Sequence, residues 1–278
     1  MPELYWKNSE ALQLRAIHWP VDAPRAVITL IHGQGEHIGR YAHVAQWFNA
    51  KSIAVVGYDH QGYGKSEGKR GHAKNLNALL DDIGLALAET RRLYPDVPHF
   101  LYGHSMGGNL ALNYVLRRRP HLAGLIATGP WVRLAFPAPL LKVLAGRLLH
   151  HITPALRLPN GLAVHFLSHD PAVVKAYQDD SLVHDQLSVA AGIDLLDGAM
   201  WLDQYTGDAP VPILLQHGGA DKITAASGTR ALAERLQGDV TFREWPDLYH
   251  EIHNEPEQAA VFAYTLAWME RVLGMVRT

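Results

Sequence analysis

The sequence predicts an α/β fold in which a mostly parallel central sheet carries helices on both faces and a helical cap insertion. Three observations support this. Short apolar, β-rich runs alternate with longer helical patterns; the alternation is regular up to Thr128; and it then breaks for roughly eighty residues before resuming.

The strand-like runs are 26–31, 53–58, 99–102, 122–128, 211–216 and 240–245, and their near-continuous apolar character is that of buried parallel strands. Helical spacing covers 41–50, 75–94, 108–118, 227–236 and 256–276, with Pro95 and Pro120 placed as stops. From Gly129 to Pro210 no run of comparable strand strength occurs, and prolines recur at Pro130, Pro137, Pro139, Pro154, Pro159 and Pro171. The expected organisation is therefore a catalytic domain formed by 1–129 and 210–278, interrupted by a helical cap at 130–209. No repeat or low-complexity tract is present.

A chain of 278 residues that is 48% hydrophobic can bury one large core. Its 25 basic and 27 acidic side chains give a formal charge of −2, without a long like-charge block, which argues against nucleic acid as a partner. The first residues lack the basic start and apolar run of a secretory leader, and no apolar run of about eighteen residues is present, so a cytoplasmic location is expected, with peripheral membrane contact through the cap. Without cysteine there is no disulfide, thiolate metal site or cysteine nucleophile. The seventeen histidines are scattered, and the groupings His150-His151 and His250-x-x-His253 lack a third ligand at familiar spacing, so no metal is expected.

The strongest chemical signal is a strand-like run, His99 to Tyr102, followed by Gly103-His104-Ser105-Met106-Gly107 and a helix. This strand–G-x-S-x-G–helix context holds a serine on a strained turn, with its hydroxyl above the sheet and small residues where strand and helix approach. A second match, Gly64-Lys65-Ser66-Glu67-Gly68, follows a polar loop and precedes no helix, so Ser66 reads as a loop-structuring residue.

A serine hydroxyl needs a base within hydrogen-bond reach and an acid that holds this base in the right tautomer. In open α/β sheets such groups gather beyond the carboxyl ends of the strands. Asp221 is the first carboxylate after the run 211–216, and the loop after 240–245 carries both His250 and His253. His250 is preferred because His253 adjoins the final helix. Asp208 precedes its strand and Asp247 is close to His250 in sequence, which makes both weaker acids than Asp221. Two N–H donors are needed for the tetrahedral oxyanion. The candidates are the amides of Met106 and of Gln34, the latter between Gly33 and Gly35; the plainer alternative for these glycines is a tight turn.

With these motifs in place the chain resembles the monoacylglycerol lipase and lysophospholipase branch of the α/β-hydrolases, grouped with serine aminopeptidase-like hydrolases. The carrying stretches are His32-Gly33-Gln34-Gly35-Glu36-His37 with Gly39-Arg40-Tyr41, Asp59-His60-Gln61-Gly62-Tyr63-Gly64-Lys65-Ser66, and Gly103-His104-Ser105-Met106-Gly107-Gly108. Further matches are Ser168-His169-Asp170-Pro171, Tyr177 to His184, His217-Gly218-Gly219-Ala220-Asp221, and Tyr249-His250. The resemblance implies the α/β-hydrolase fold, a Ser105–Asp221–His250 triad, an oxyanion hole from Gln34 and Met106, and hydrolysis of monoacylglycerols or similar single-chain lipid esters without a cofactor. Gln34 departs from the smaller or apolar residue that relatives often carry there, which bears on pocket shape.

In the cap, Leu140, Leu141, Val143, Leu144, Leu148 and Leu149 recur at a spacing that makes a wide apolar helix face. Either this face packs on the catalytic domain, or part of it lines an acyl tunnel or touches a lipid surface. Trp131, Phe136, Leu144, Leu148 and Trp201 are the candidate substrate-binding residues; the aromatics among them also suit a core. The expected activity is that of a serine carboxylester hydrolase on single-chain lipids. Its alternatives are a lysophospholipase or broad esterase, an aminopeptidase or amidase using Asp170, Asp179, Asp180 or Asp185 as an amine anchor, and a non-catalytic binding module.

Overall fold

The computed structural model describes residues 2–136 and 140–276; Pro137 and Pro139 of the expected cap lie outside them. Strands β1 (Glu3–Lys7), β2 (Gln13–Trp19), β3 (Ala26–Ile31), β4 (Ile53–Tyr58), β5 (His99–His104), β6 (Gly124–Thr128), β9 (Ile213–Gly218) and β10 (Val240–Trp245) form, among the described residues, one eight-stranded sheet in the order β1-β2-β4-β3-β5-β6-β9-β10. The six runs expected as strands are its parallel part. β1 and β2, which carry no near-continuous apolar run, extend it as an antiparallel pair.

Helices α1 (Ala42–Asn49), α2 (Leu76–Leu93), α3 (Met106–Arg118), α7 (Ala226–Arg235) and α8 (Gln258–Val276) fall where helical spacing places them. Because successive strand side chains point to opposite faces, each parallel strand serves two cores. Val27, Leu101, Leu125 and Leu215 face one core, which Leu80 of α2, Leu110 of α3 and Leu232 of α7 fill. Ile28, Phe100, Ile126 and Leu214 face the other, beneath Phe48 of α1 and Trp268 of α8.

Between β6 and β9 lie α4 (Leu140–Ile152), β7 (Arg157–Pro159), α5 (Pro171–Asp179), β8 (Gln186–Ser188) and α6 (Val189–Gln204). β7 and β8 pair antiparallel as a sheet of their own, three residues each and too short to register as strands in the sequence. Leu195 and Leu202 of α6 join the larger core, whereas α4 has no buried residue. Among the described residues no helix is long and apolar enough to cross a membrane.

The parallel order sets β5 between β3 and β6, so the turn after β5 opens over the middle of the sheet. Helix α3 must start close to the strands there. A Cβ on Gly103 would stand 2.3 Å from the carbonyl oxygen of Gly107, and one on Gly107 would stand 2.3 Å from that of Ile31. These neighbours are backbone and have no room to yield. Gly107→Ala should therefore destabilise the fold by about 1–3 kcal/mol or more in urea denaturation; an unchanged midpoint would contradict this contact.

Candidate active site

Ser105 occupies the turn between β5 and α3 with φ 53° and ψ −115°, a region costly for any residue with a Cβ. Its N–H donates to the carbonyl of Thr128 at 3.0 Å, and its own carbonyl accepts from Asn109 at 2.9 Å and Trp131 at 3.1 Å. These bonds hold the strained turn. Met106 opens α3, so its N–H lies at the positive end of that helix.

His250 follows β10, buried at 2% exposure. Its Nε2 lies 2.8 Å from Ser105 Oγ and its Nδ1 lies 2.7 Å from Asp221 Oδ2. The carboxylate can only accept, so the proton sits on Nδ1 and Nε2 is free to accept from the serine. Asp221 Oδ1 in turn accepts from the amides of Ile223 at 2.7 Å and Thr224 at 3.1 Å. Burial alone would push the Asp221 carboxyl up, but the charge of His250 and the bonds from His217 and His250 hold it well below the ordinary carboxylate range. Burial would lower His250, yet the facing Asp221 carboxylate outweighs it and raises this imidazole above its usual value.

The rival residues stand elsewhere. His253 stacks on Tyr41 at 4.9 Å between ring centres, and burial keeps it neutral, with its pKa pushed down to about 3. Asp208 pairs with Arg119 at 2.6 Å on the surface, and Asp247 is exposed. Ser66 is buried, donates to the carbonyl of Asp59 at 2.6 Å and accepts from the Arg15 amide at 2.8 Å, a loop-structuring role.

Ser105 and His250 form the floor of a cavity of about 190 Å³ whose walls include Gln34, Trp131, Phe136, Leu162, Tyr177 and Ile223. Of the five candidate substrate-binding residues, Trp131 and Phe136 line this cavity. Leu144, Leu148 and Trp201 do not line this cavity. Trp201 instead packs against the main core with the Arg117 guanidinium 3.9 Å above its ring. Leu144 and Leu148 stand 54% and 63% exposed, whereas Val143 and Leu149 of the same helix are half-buried and α4 lies against α6. Asp170, Asp179, Asp180 and Asp185 line no part of the cavity either: they cap α5, pair with Lys175, pair with His37, and accept from Gln186, respectively.

A buried charge network, which motif reading passed over, joins the loop of Gln34 to the loop of His250. Glu36 accepts from the Gly33 amide at 2.7 Å and from the Tyr41 hydroxyl at 2.6 Å. Arg40 bonds Glu36 and grips both oxygens of Glu251 at 2.8 Å, beside His250. Glu36, His104 and Glu251 have ligand atoms within 4.8 Å of one another, and the Arg40 guanidinium supplies the positive charge between the two carboxylates. The segment between β6 and β9 closes on the same loop: His184 donates its amide to the Gly35 carbonyl at 2.9 Å, and the Gln34 side chain bonds Asn160 at 2.5 Å and the Gln186 carbonyl at 3.2 Å. Only the i, i+4 spacing of Glu36 and Arg40 hinted at this in the sequence.

A serine held in a strained strand–helix turn, meeting an imidazole and a buried carboxylate from later loops over a mostly parallel sheet, defines the serine-hydrolase class of the α/β-hydrolase fold. Within that class the chain belongs to the family described as "Serine aminopeptidase, S33" (Hydrolase_4), whose model matches residues 22–257. It is 38% identical to an uncharacterized abhydrolase domain-containing protein of Dictyostelium discoideum over 96% of this chain, though it spans only 28% of that protein's length. It is 34% identical to a monoacylglycerol lipase of Mycolicibacterium smegmatis, covering 90% of each. Among solved structures, the monoacylglycerol lipase of Paleococcus ferrophilus superposes with a TM-score of 0.85 at 32% identity, over 93% of this chain and 99% of that one.

Three outcomes follow from this geometry. Protonated His250 cannot accept the serine proton, so kcat/KM should rise with pH through a midpoint above about 6.5. Asp221→Asn should move that limb to lower pH and cut kcat on the order of 10⁴-fold, whereas an unmoved limb would contradict the pairing. Arg40→Met leaves two buried carboxylates facing each other and should cost about 3–5 kcal/mol in urea denaturation; a loss below about 1 kcal/mol would show that the network is not holding the two loops.

Proposed function

We propose that this protein is a serine carboxylester hydrolase that cleaves monoacylglycerols or closely similar single-chain lipid esters. The observation that carries the reading is the unbroken hydrogen-bonded chain from Asp221 through His250 to Ser105 at the floor of a largely apolar cavity. The resemblance to monoacylglycerol lipases over nearly the whole chain supports the substrate class.

In this reading Ser105 Oγ attacks the ester carbonyl carbon while His250 Nε2 takes its proton. Asp221 stays ionised and stabilises the imidazolium. The amides of Gln34 and Met106 bind the oxyanion; each such donor is worth about 2.7–4 kcal/mol in comparable sites. Collapse expels the alcohol, protonated by His250, and leaves an acyl-serine. Water then gives its proton to His250 while its oxygen attacks the acyl carbon; the bond to Ser105 Oγ breaks, Oγ takes the proton back from His250, and the fatty acid is released. Trp131, Phe136, Leu162 and Ile223 suit the acyl chain, and Gln34, Asn160 and Tyr177 give one part of the wall polar groups for an alcohol.

We further propose that 130–209 acts as the cap and that α4 meets lipid surfaces. Leu140, Leu141, Leu144, Leu148 and Ile152 are 54–81% exposed on this one helix, an apolar stripe that water disfavours. None of the four aspartates considered as amine anchors reaches the cavity, and the two carboxylates on its wall, Glu36 and Glu251, are both paired with Arg40, which favours esters over amino-terminal amides.

The test is a panel of monoacylglycerols, lysophospholipids, p-nitrophenyl esters and aminoacyl amides, run on the unmodified protein and on Ser105→Ala. Turnover should be highest on monoacylglycerols and absent in the variant. Preference for aminoacyl amides would overturn the substrate assignment. Replacing Leu144 and Leu148 together by Ser should weaken liposome binding and leave hydrolysis of a short soluble ester intact; unchanged liposome binding would remove the membrane role of α4.

A further inference from the structure

We infer that His217 is a positioning residue that sets the basicity of His250 by drawing on the same carboxylate oxygen. This rests on the reading of Asp221, His250 and Ser105 as the catalytic triad and adds to it a second imidazole. His217 is the penultimate residue of β9, fully buried and fixed between β6 and β10. Asp221 comes four residues later in the following turn. His217 Nε2 lies 3.1 Å from Asp221 Oδ2 and 3.2 Å from the Thr224 carbonyl, and both of these only accept. Nε2 must therefore carry a proton. The other nitrogen, Nδ1, lies 2.8 Å from the hydroxyl of Thr229 on α7, which can donate to it.

Asp221 Oδ2 is consequently shared. It faces His250 Nδ1 at 2.7 Å, Thr224 Oγ1 at 2.9 Å and His217 Nε2 at 3.1 Å. Each added donor spreads the carboxylate's charge and leaves less to stabilise protonated His250. A base that is too strong holds its proton at neutral pH and cannot accept one from Ser105. His217 thus keeps the imidazole of His250 free at lower pH than Asp221 alone would allow. Glu251, Glu36, His104 and His253 also face His250, and none of them touches this oxygen. A merely packed core histidine would affect stability and leave the titration of His250 in place.

Two variants separate these roles because their side-chain amides overlay different ring atoms. Asn at 217 can place its oxygen near Nδ1, where it accepts from Thr229, and loses the bond to Asp221, whereas Gln can place its nitrogen near Nε2 and keep the bond to Asp221. With p-nitrophenyl butyrate, His217→Asn should move the rising limb of kcat/KM upward by about half a pH unit. His217→Gln should bring the limb back toward its wild-type position. KM should stay unchanged in both, since His217 lines no part of the cavity. A limb that stays put or falls in His217→Asn would overturn the assignment. If that variant does not fold, nitrogen NMR of the imidazoles in the unmodified protein decides the matter: His217 should be protonated on Nε2 and accept at Nδ1, and the opposite tautomer would refute it. Failure of the triad reading itself would look different, as ester hydrolysis that survives Ser105→Ala.

Discussion

Ser105 is held at φ 53° by hydrogen bonds between its own backbone and those of Thr128, Asn109 and Trp131, and a conformation of this kind costs about 1–3 kcal/mol that the surrounding structure must offset. Much of the architecture can be read as the means of holding that turn. Thr128 ends the neighbouring strand β6, and the carbonyl of Ile31 at the end of β3, on the other side, presses against Gly107. Both come from strands flanking β5 in the middle of the sheet. A serine at a sheet edge would lack one of these neighbours. The central place of β5 and the two glycines around Ser105 are thus one requirement seen at two scales.

The other groups reach Ser105 from loops that are tied to each other as well as to the sheet. Glu36 fixes the Gly33 amide, Arg40 bridges Glu36 and Glu251, and Glu251 follows His250, so the loop of Gln34 and the loop of His250 are tied together. Asn160, His184 and Gln186 bind the loop of Gln34 from the segment between β6 and β9. That segment therefore has two characters. Its 160–188 portion is hydrogen-bonded into the site, while α4 presents an apolar, exposed face with no buried residue.

The fully buried strands were legible because burial on both faces makes a strand read as an uninterrupted apolar run, as in Ala26–Ile31 and Ile53–Tyr58. β1 and β2 were not, because the Glu3–Lys7 strand lies at the edge with one side in water and Gln13–Trp19 interleaves Arg15 and His18 among apolar residues. Arg15 is nonetheless buried, neutralised by Asp59 and Glu3, which no periodicity reveals. The meeting of Ser105, Asp221 and His250 was legible because each stands in a loop just after a strand, a position fixed by topology. What motif spacing could not give was the wall of the cavity. Trp201 looked like a pocket residue by size, but Arg117 covers its ring and the core takes its edge. Arg40 and His217 lie inside recognised motifs, yet their partners are chosen by how the loops fold together, not by spacing along the chain.

Together the turn, the imidazole and the carboxylate make one hydroxyl among many a nucleophile. Labelling the native protein with a fluorophosphonate and mapping the adduct by peptide mass spectrometry tests it most directly. A single covalent adduct on Ser105, formed faster as pH rises through the titration of His250 and lost on prior unfolding, is the predicted result. An adduct on another serine, or none on Ser105 under conditions where the protein is folded, would contradict the account.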